Sequence, residues 1–342
     1  MTPAELAAAS DLILPMAIRV AATLRVADLL ADGPLTSTAL ADKAGADPEA
    51  LRRLMNYLVA RGLFQATGDE EQREGEGASA GRLGGGQGRA EARFALGEGG
   101  RWLLDDAPGS MRKWLDLEGF GGHMDRAFFG LLGTVRDGGP VAAGNKLSLS
   151  AGAAASYDEL MGERARTEGP ALAQVLDWSR FTHVVDVGGG TGAQLIALLT
   201  AFPALRGTLV ELPASIETAQ REFSKAGVTC DVLGGNLFEL ELPQADAFVL
   251  RYLLHSFEDD QAVEALTKCR NALLPGGSVL VLEASDTVPA VFAAMDLLML
   301  VLGHGRERTL AEYDAAAAAA GLRRAAIHTP TAGPRALEYV AH

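Results

Sequence analysis

The stretch Val184-Val185-Asp186-Val187-Gly188-Gly189-Gly190-Thr191-Gly192-Ala193-Gln194-Leu195 constrains this chain more than any other. Apolar residues 184–187 read as a buried strand, the glycines as a sharp turn, and Ala193 onward as a helix. Glycine lets the backbone bend tightly and lets a ligand approach with no β-carbon in the way. The start of the helix offers unpaired N–H groups and a partial positive charge. Short apolar segments recur at 207–211, 245–250 and 278–283, with helical segments between them. This alternation implies an α/β domain with a parallel, doubly wound sheet, whose ligands bind beyond the carboxyl ends of the strands.

Dinucleotide and S-adenosylmethionine sites both use such a turn. Here the order is Asp-x-Gly-x-Gly-x-Gly, with Asp186 inside the strand end. A carboxylate is unfavourable beside a pyrophosphate and favourable beside the ammonium group of a sulfonium cofactor. Glu211 ends the next strand about 20 residues on, placed to accept both ribose hydroxyls, which would suit NAD equally well.

The first 65 residues read as a run of helices. Thr36 is a candidate cap, and Asp47-Pro48 is an N-cap followed by proline at the first helical position. Leu51, Leu54, Met55 and Leu58 then share one face. With Gly62-Leu63-Phe64 behind them, these short helices suggest a winged-helix unit. Arg52, Arg53 and Arg61 would support DNA binding; the alternative is a dimerisation scaffold with solvated arginines. Residues 67–92 are rich in glycine and charge and read as a flexible insertion in the wing. From 101 to 166 the pattern is helical again, mostly core, with part of it roofing an active site. The expected division is 1–105 for the winged-helix dimerisation domain and 106–342 for the α/β domain with its helical roof.

Thirty basic against 44 acidic side chains, a net charge of -14, argue against a nucleic-acid partner. Cys230 and Cys269 lie in no metal-type spacing and suit free thiols in a reducing cytoplasm. No apolar run is expected to reach the roughly 18 residues of a bilayer span. The N-terminus, with Glu5 and Asp11, lacks a basic leader region. A cytoplasmic chain away from membranes is the expectation.

The segment Arg251-Tyr-Leu-Leu-His-Ser-Phe-Glu-Asp-Asp260 holds a histidine at the end of an apolar run. Three readings compete for His255: a core residue, a metal ligand or a general base. No second His or Cys stands at ligand spacing from it, so no metal is expected.

DVGGGTG at 186–192, VELP at 210–213, GGNLF at 234–238, LRYLLHSFED at 250–259, LLPGGSVLVLE at 273–283 and GRERT at 305–309 occur in one order. In that order and spacing the chain resembles the small-molecule O-methyltransferases, which include plant caffeate-type and bacterial polyketide-tailoring enzymes of antibiotic biosynthesis. The resemblance spans nearly the whole chain except 67–92. It implies a Rossmann-like methyltransferase domain behind a winged-helix dimerisation domain, and a homodimer. It also implies S-adenosylmethionine as cofactor, released as S-adenosylhomocysteine, and a small aromatic acceptor with a phenolic or enolic hydroxyl.

Residue by residue, the resemblance implies that Asp186, Gly188 and Gly190 lie at the methionine part of the cofactor and Glu211 at the ribose. Asn236, where the family commonly has aspartate, would face the adenine amino group, with Leu237 packed on the ring and Arg251 near it. Asn236 and Arg251 also read simply as a surface turn and a strand-end charge. His255 becomes the base, braced by Glu283 and Glu307. Tyr157, Met161, Asp296 and Met299 would line the acceptor pocket. Ser256 stands where the family often has aspartate, and its missing carboxylate would alter how the acceptor is oriented. His304, before GRERT, either reaches the acceptor or faces solvent. The rivals are the same fold used for hydroxylation, decarboxylation or cyclisation, a ligand-sensing winged-helix regulator, and a nicotinamide-dependent reductase.

Overall fold

The computed structural model describes residues 1–67, 92–139, 149, 151–284, 286, 288–303 and 305–342. It forms two compact units, Met1–His123 and Met124–His342.

In the first unit, helices Ile13–Thr23, Ser37–Ala44 and Pro48–Ala60 surround a small antiparallel sheet. Its strands are β1 (Leu35–Thr36), β2 (Phe64–Thr67) and β3 (Arg93–Leu96), in the order β1-β3-β2. Both expected caps form: Thr36 accepts from the Ala39 N–H at 3.3 Å and Asp47 from the Ala50 N–H at 2.8 Å. Leu51, Met55 and Leu58 are buried on the inner face of their helix with Ala21, Leu30, Leu40, Phe64 and Phe94, while Leu54 is half-buried at its edge. Paired β2 and β3 are the wing. The insertion expected between them falls on residues 68–91, outside the described residues. Arg52 and Arg53 both bind Glu49, at 2.8 and 2.9 Å, which offsets one of the two charges a DNA contact on that helix would use.

One expectation needs correction. Pro3–Thr23, 21 residues at a hydropathy of 1.5, is long and apolar enough by length and composition to cross a bilayer. The segment breaks into Pro3–Ser10 and Ile13–Thr23, and Ala17, Ala21 and Ala22 of the second part lie in the core.

The second unit is built on seven strands: β4 (His183–Val187), β5 (Arg206–Glu211), β6 (Asp231–Gly234), β7 (Ala245–Arg251), β8 (Leu273–Glu283), β9 (Leu322–His328) and β10 (Arg335–Ala341). Their order is β6-β5-β4-β7-β8-β10-β9, with β10 antiparallel to both neighbours and the rest parallel. The order reverses at β4, which opens a crevice at the carboxyl ends of β4 and β7. Side chains alternate across the sheet. Val185 and Val187 enter the core shared with Leu266, Tyr313 and Leu322, whereas Val184 enters the core shared with Leu195, Leu199 and Phe223.

Helix Ala151–Val175 lies close on this second face. A β-carbon at Gly162 would stand 2.9 Å from Thr191 Oγ1, and one at Gly169 would stand 3.0 Å from Ala197 Cβ. The two glycines therefore allow the helix to sit directly over the glycine turn and the helix that follows it, Ala193–Ala201.

Candidate active site

At the end of β4, Gly188, Gly190 and Gly192 have φ values of 71°, 60° and 76°. Residues with side chains are strained in that region, so the turn depends on glycine. At Gly188 a β-carbon would also meet Leu253 Cδ1 at 2.9 Å, and at Gly189 it would run into the Asp186 carboxylate. Glu211, at the end of β5, accepts the Gly190 N–H through Oε2 and the Leu212 N–H through Oε1, both at 2.8 Å. It thereby ties the turn to the neighbouring strand.

Asp186 is 2% exposed, and neither carboxylate oxygen has a hydrogen-bond partner among the described residues. Burial pushes its pKa up to about 7, against a smaller opposing pull from the Arg251 charge. A buried carboxylate is costly unless a donor or cation meets it. Beside a cradle of left-handed glycines, this unmatched group fits a ligand with a cationic end.

The other residues expected at the cofactor are arranged less directly. Asn236 Oδ1 accepts the Phe238 N–H at 3.1 Å, and its backbone oxygen accepts from Glu239 and Leu240, so Asn236 organises its own turn. Leu237 is buried in the core with Val210 and Phe248. The Arg251 guanidinium pairs with Glu168 of the long helix.

His255 is reached through a short turn after β7. Glu283 Oε1, at the end of β8, accepts the N–H groups of Leu253, Leu254 and His255 at 3.0, 2.8 and 3.3 Å. Arg308 is 2% exposed and grips the same turn from the other side, donating to the Leu254 oxygen at 2.7 Å and the Phe257 oxygen at 2.8 Å. Gly305 is packed against the His255 carbonyl so closely that no side chain fits. The His255 ring places Nδ1 2.9 Å from Glu307 Oε1 and 3.5 Å from Glu283 Oε2. Burial disfavours the charged ring, but the Glu283 charge and then the Glu307 hydrogen bond and charge outweigh it, holding the histidine above its usual pKa. Glu283 is itself pushed up by burial.

Of the residues expected at the acceptor, Asp296 joins this cluster by accepting the Glu307 N–H at 3.0 Å. Ser256 is exposed beside the base. Tyr157 and Met161 are half-buried on one face of Ala151–Val175, and Met299 is half-buried on Pro289–Leu302. His304 lies outside the described residues. No group of three or more His, Cys, Asp or Glu able to hold a metal occurs among the described residues.

Sequence reasoning missed four side chains. Arg308 sits inside the quoted GRERT, and its burial was the missing fact. Tyr252, Arg164 and Glu168 are the others. Arg164 Nη2 donates to the Tyr252 hydroxyl at 2.6 Å, and Arg164 Nε to Glu168 at 2.9 Å. Arg164 follows Tyr157 by seven residues and so shares its helix face, the one signal that was available. Tyr252 has a φ of 49°, which nothing in its residue type announces.

The chain is similar to known proteins along most of its length. Residues 144–323 match the O-methyltransferase domain, and residues 6–83 match the O-methyltransferase dimerisation domain. The 2,7-dihydroxy-5-methyl-1-naphthoate 7-O-methyltransferase of Streptomyces carzinostaticus is 38% identical over 94% of this chain and 93% of its own. The aclacinomycin 10-hydroxylase of Streptomyces purpurascens is also 38% identical, over 93% of this chain and 84% of its own. An O-methyltransferase from neocarzinostatin biosynthesis, solved with S-adenosylmethionine and 2-hydroxy-5-methyl naphthoic acid, superposes with a TM-score of 0.83 at 37% identity, covering 98% of each chain.

Proposed function

The chain belongs to the O-methyltransferase family with an N-terminal dimerisation domain, and from that premise we propose that it methylates a hydroxyl of a small aromatic acceptor, with His255 as general base. S-adenosylmethionine supplies the methyl group as an electrophile and leaves as S-adenosylhomocysteine. In this reading Asp186 holds the cationic amino end, Gly188 and Gly190 admit the methionine part, and Glu211 takes the ribose. Asn236 keeps a second lone pair for the adenine amine, Leu237 packs beneath the ring, and Arg251 closes that side. The dimerisation domain calls for a second copy of the chain as partner.

The observation that carries the reading is the His255 ring. Its Nδ1 is held by Glu307 at 2.9 Å, and its Nε2 has no hydrogen-bond partner among the described residues. With Nδ1–H donating to Glu307, the lone pair lies on Nε2, and the carboxylates stabilise the imidazolium once it takes a proton. Arg308 and Glu283 fix the turn, so the ring is held in place for that step. A phenol near pKa 10 and an ordinary histidine near 6.5 differ by about 5 kcal/mol. The raised His255 pKa narrows that gap, and proton transfer accompanies attack instead of preceding it. Tyr157, Met161, Ser256, Asp296 and Met299 are the residues this reading assigns to the acceptor, with His304 beside them.

The naphthoate methyltransferase relative supports an aromatic hydroxyl as target, while the hydroxylase relative supplies a second reading in which the same fold adds oxygen. Methyl-labelled cofactor incubated with 1-hydroxy-2-naphthoic acid and a panel of phenols separates the two by product mass. Label in the product is expected; an oxygenated product without label would leave the second reading standing.

A further inference from the structure

We propose that Arg164 and Tyr252 form a paired donor site for a carboxylate that the acceptor carries beside the hydroxyl served by His255. This rests on the methyl-transfer reading and specifies its substrate class as aromatic hydroxy acids.

Tyr252 is a bulky aromatic residue at φ 49°, pinned by its N–H to the Leu282 oxygen at 2.9 Å. Such backbone strain persists where the surroundings enforce it, and it gathers at functional sites. The strain places the Tyr252 ring 6.0 Å from the His255 ring, within the width of one bicyclic aromatic. Arg164 lies 4.0 Å over the Tyr252 ring and donates to its hydroxyl oxygen. A guanidinium cannot accept, so the Tyr252 proton has no acceptor among the described residues. Burial keeps that phenol protonated. Arg164 remains 37% exposed at its side chain, with Nη1 unused among the described residues. Arg164 and Arg251 share the single carboxylate of Glu168, which leaves the trio with a surplus positive charge. Glu283 also acts on Arg164, through its charge alone, since its Oε1 is held by three backbone N–H groups. An uncommitted O–H beside a guanidinium with positive surplus is a receptor for an anionic oxygen. Arg164 shares its helix face with Tyr157 and Met161, which directs the pair to the acceptor.

The test measures binding of 1-hydroxy-2-naphthoic acid and of 1-naphthol to full-length protein saturated with S-adenosylhomocysteine. Wild type should prefer the acid by about tenfold or more, as for a hydrogen bond to a charged group. Tyr252→Phe and Arg164→Gln should each cut that preference several-fold while 1-naphthol affinity stays within about twofold. Three results would overturn the proposal: no preference for the acid in wild type, equal losses for both ligands, or weakened S-adenosylhomocysteine binding in Tyr252→Phe. Absence of label transfer to any phenol would instead remove the methyl-transfer reading, which the binding ratio does not measure.

Discussion

The glycine cradle at the end of β4, proposed for the cofactor, and the His255 pocket at the end of β7, proposed for the base, lie side by side but are made in different ways. The cradle is mostly backbone: three left-handed glycines, a helix start, and the Glu211 carboxylate tying Gly190 to β5. Of its two buried carboxylates, Glu211 is hydrogen-bonded and Asp186 has no hydrogen-bond partner among the described residues. The base pocket is made of side chains brought from afar, since Glu283 and Glu307 stand 28 and 52 residues from His255. There, each carboxylate already engages the His255 turn or ring through one oxygen, while Glu283 Oε2 and Glu307 Oε2 make no hydrogen bond among the described residues. The first region holds a carboxylate with no hydrogen bond among those residues, and the second holds carboxylates already turned to its histidine. Removing a group from each should therefore disturb different quantities.

The largest expected effect is at His255. His255→Ala should lower kcat by about 100- to 10,000-fold, the usual range for a general base. Cofactor affinity, measured by calorimetry with S-adenosylhomocysteine, should change by less than about twofold, because no backbone of the cradle depends on the ring. Loss of cofactor binding along with kcat would mean the two regions are one structural unit, and the contrast between them would fail.

Asp186→Asn should do the reverse. A neutral amide cannot meet a cationic end as a carboxylate does, and affinity for S-adenosylmethionine should fall about tenfold. Stability should move the other way. Burial raises the Asp186 pKa to about 7, against about 3.9 in an unfolded chain. The unfolded state therefore loses this proton first, and folding stability declines as pH rises from about 4 to 7. Asp186→Asn removes the decline, so its melting temperature without cofactor should exceed that of wild type at pH 8 and match it near pH 4. The upper bound on the gain is on the order of 4 kcal/mol. A variant less stable than wild type at pH 8 would show that Asp186 is already satisfied in the free protein.

The same contrast explains what the sequence made legible. Glycines at 188, 190 and 192 declare a left-handed turn because few other residues tolerate it, so the cradle could be read from composition and order alone. Strands β4, β5, β7 and β8 were equally plain, since buried parallel strands are continuous apolar runs, whereas the partly exposed edge strand β6 was not read. His255 with Glu283 and Glu307 was reachable only through resemblance to a family, because nothing local links residues so far apart. Tyr252, Arg164 and Arg308 were hidden for a further reason. Each acts through an orientation that tertiary packing imposes, and a tyrosine at φ 49° has no sequence signature at all. Asn236 was expected to face the adenine amine, with a surface turn as the alternative, and its amide oxygen accepts the Phe238 N–H of its own turn.

The smallest effect, and the most diagnostic for the base pocket, is a shift in pH dependence. His255 must be neutral to act, so kcat/KM should rise with pH along a limb set by its pKa, which lies above the ordinary 6.5. Glu307→Gln keeps an oxygen to accept Nδ1–H, and with it the tautomer, but removes a charge that favours the imidazolium. The limb should move to lower pH by less than about one unit, because the Glu283 charge remains. At high pH, where His255 is neutral in both proteins, kcat should still be several-fold lower, since the imidazolium formed during transfer has lost part of its stabilisation. Stability follows the same sign. A histidine raised on folding contributes stability below about pH 6.5, and the contribution is lost as pH rises through the folded value. The melting deficit of Glu307→Gln should therefore be larger at pH 5.5 than at pH 8.5. A limb that moves to higher pH, or a deficit that grows with pH, would mean that Glu307 does not act on His255 through its charge, and the brace would then be only a matter of ring placement.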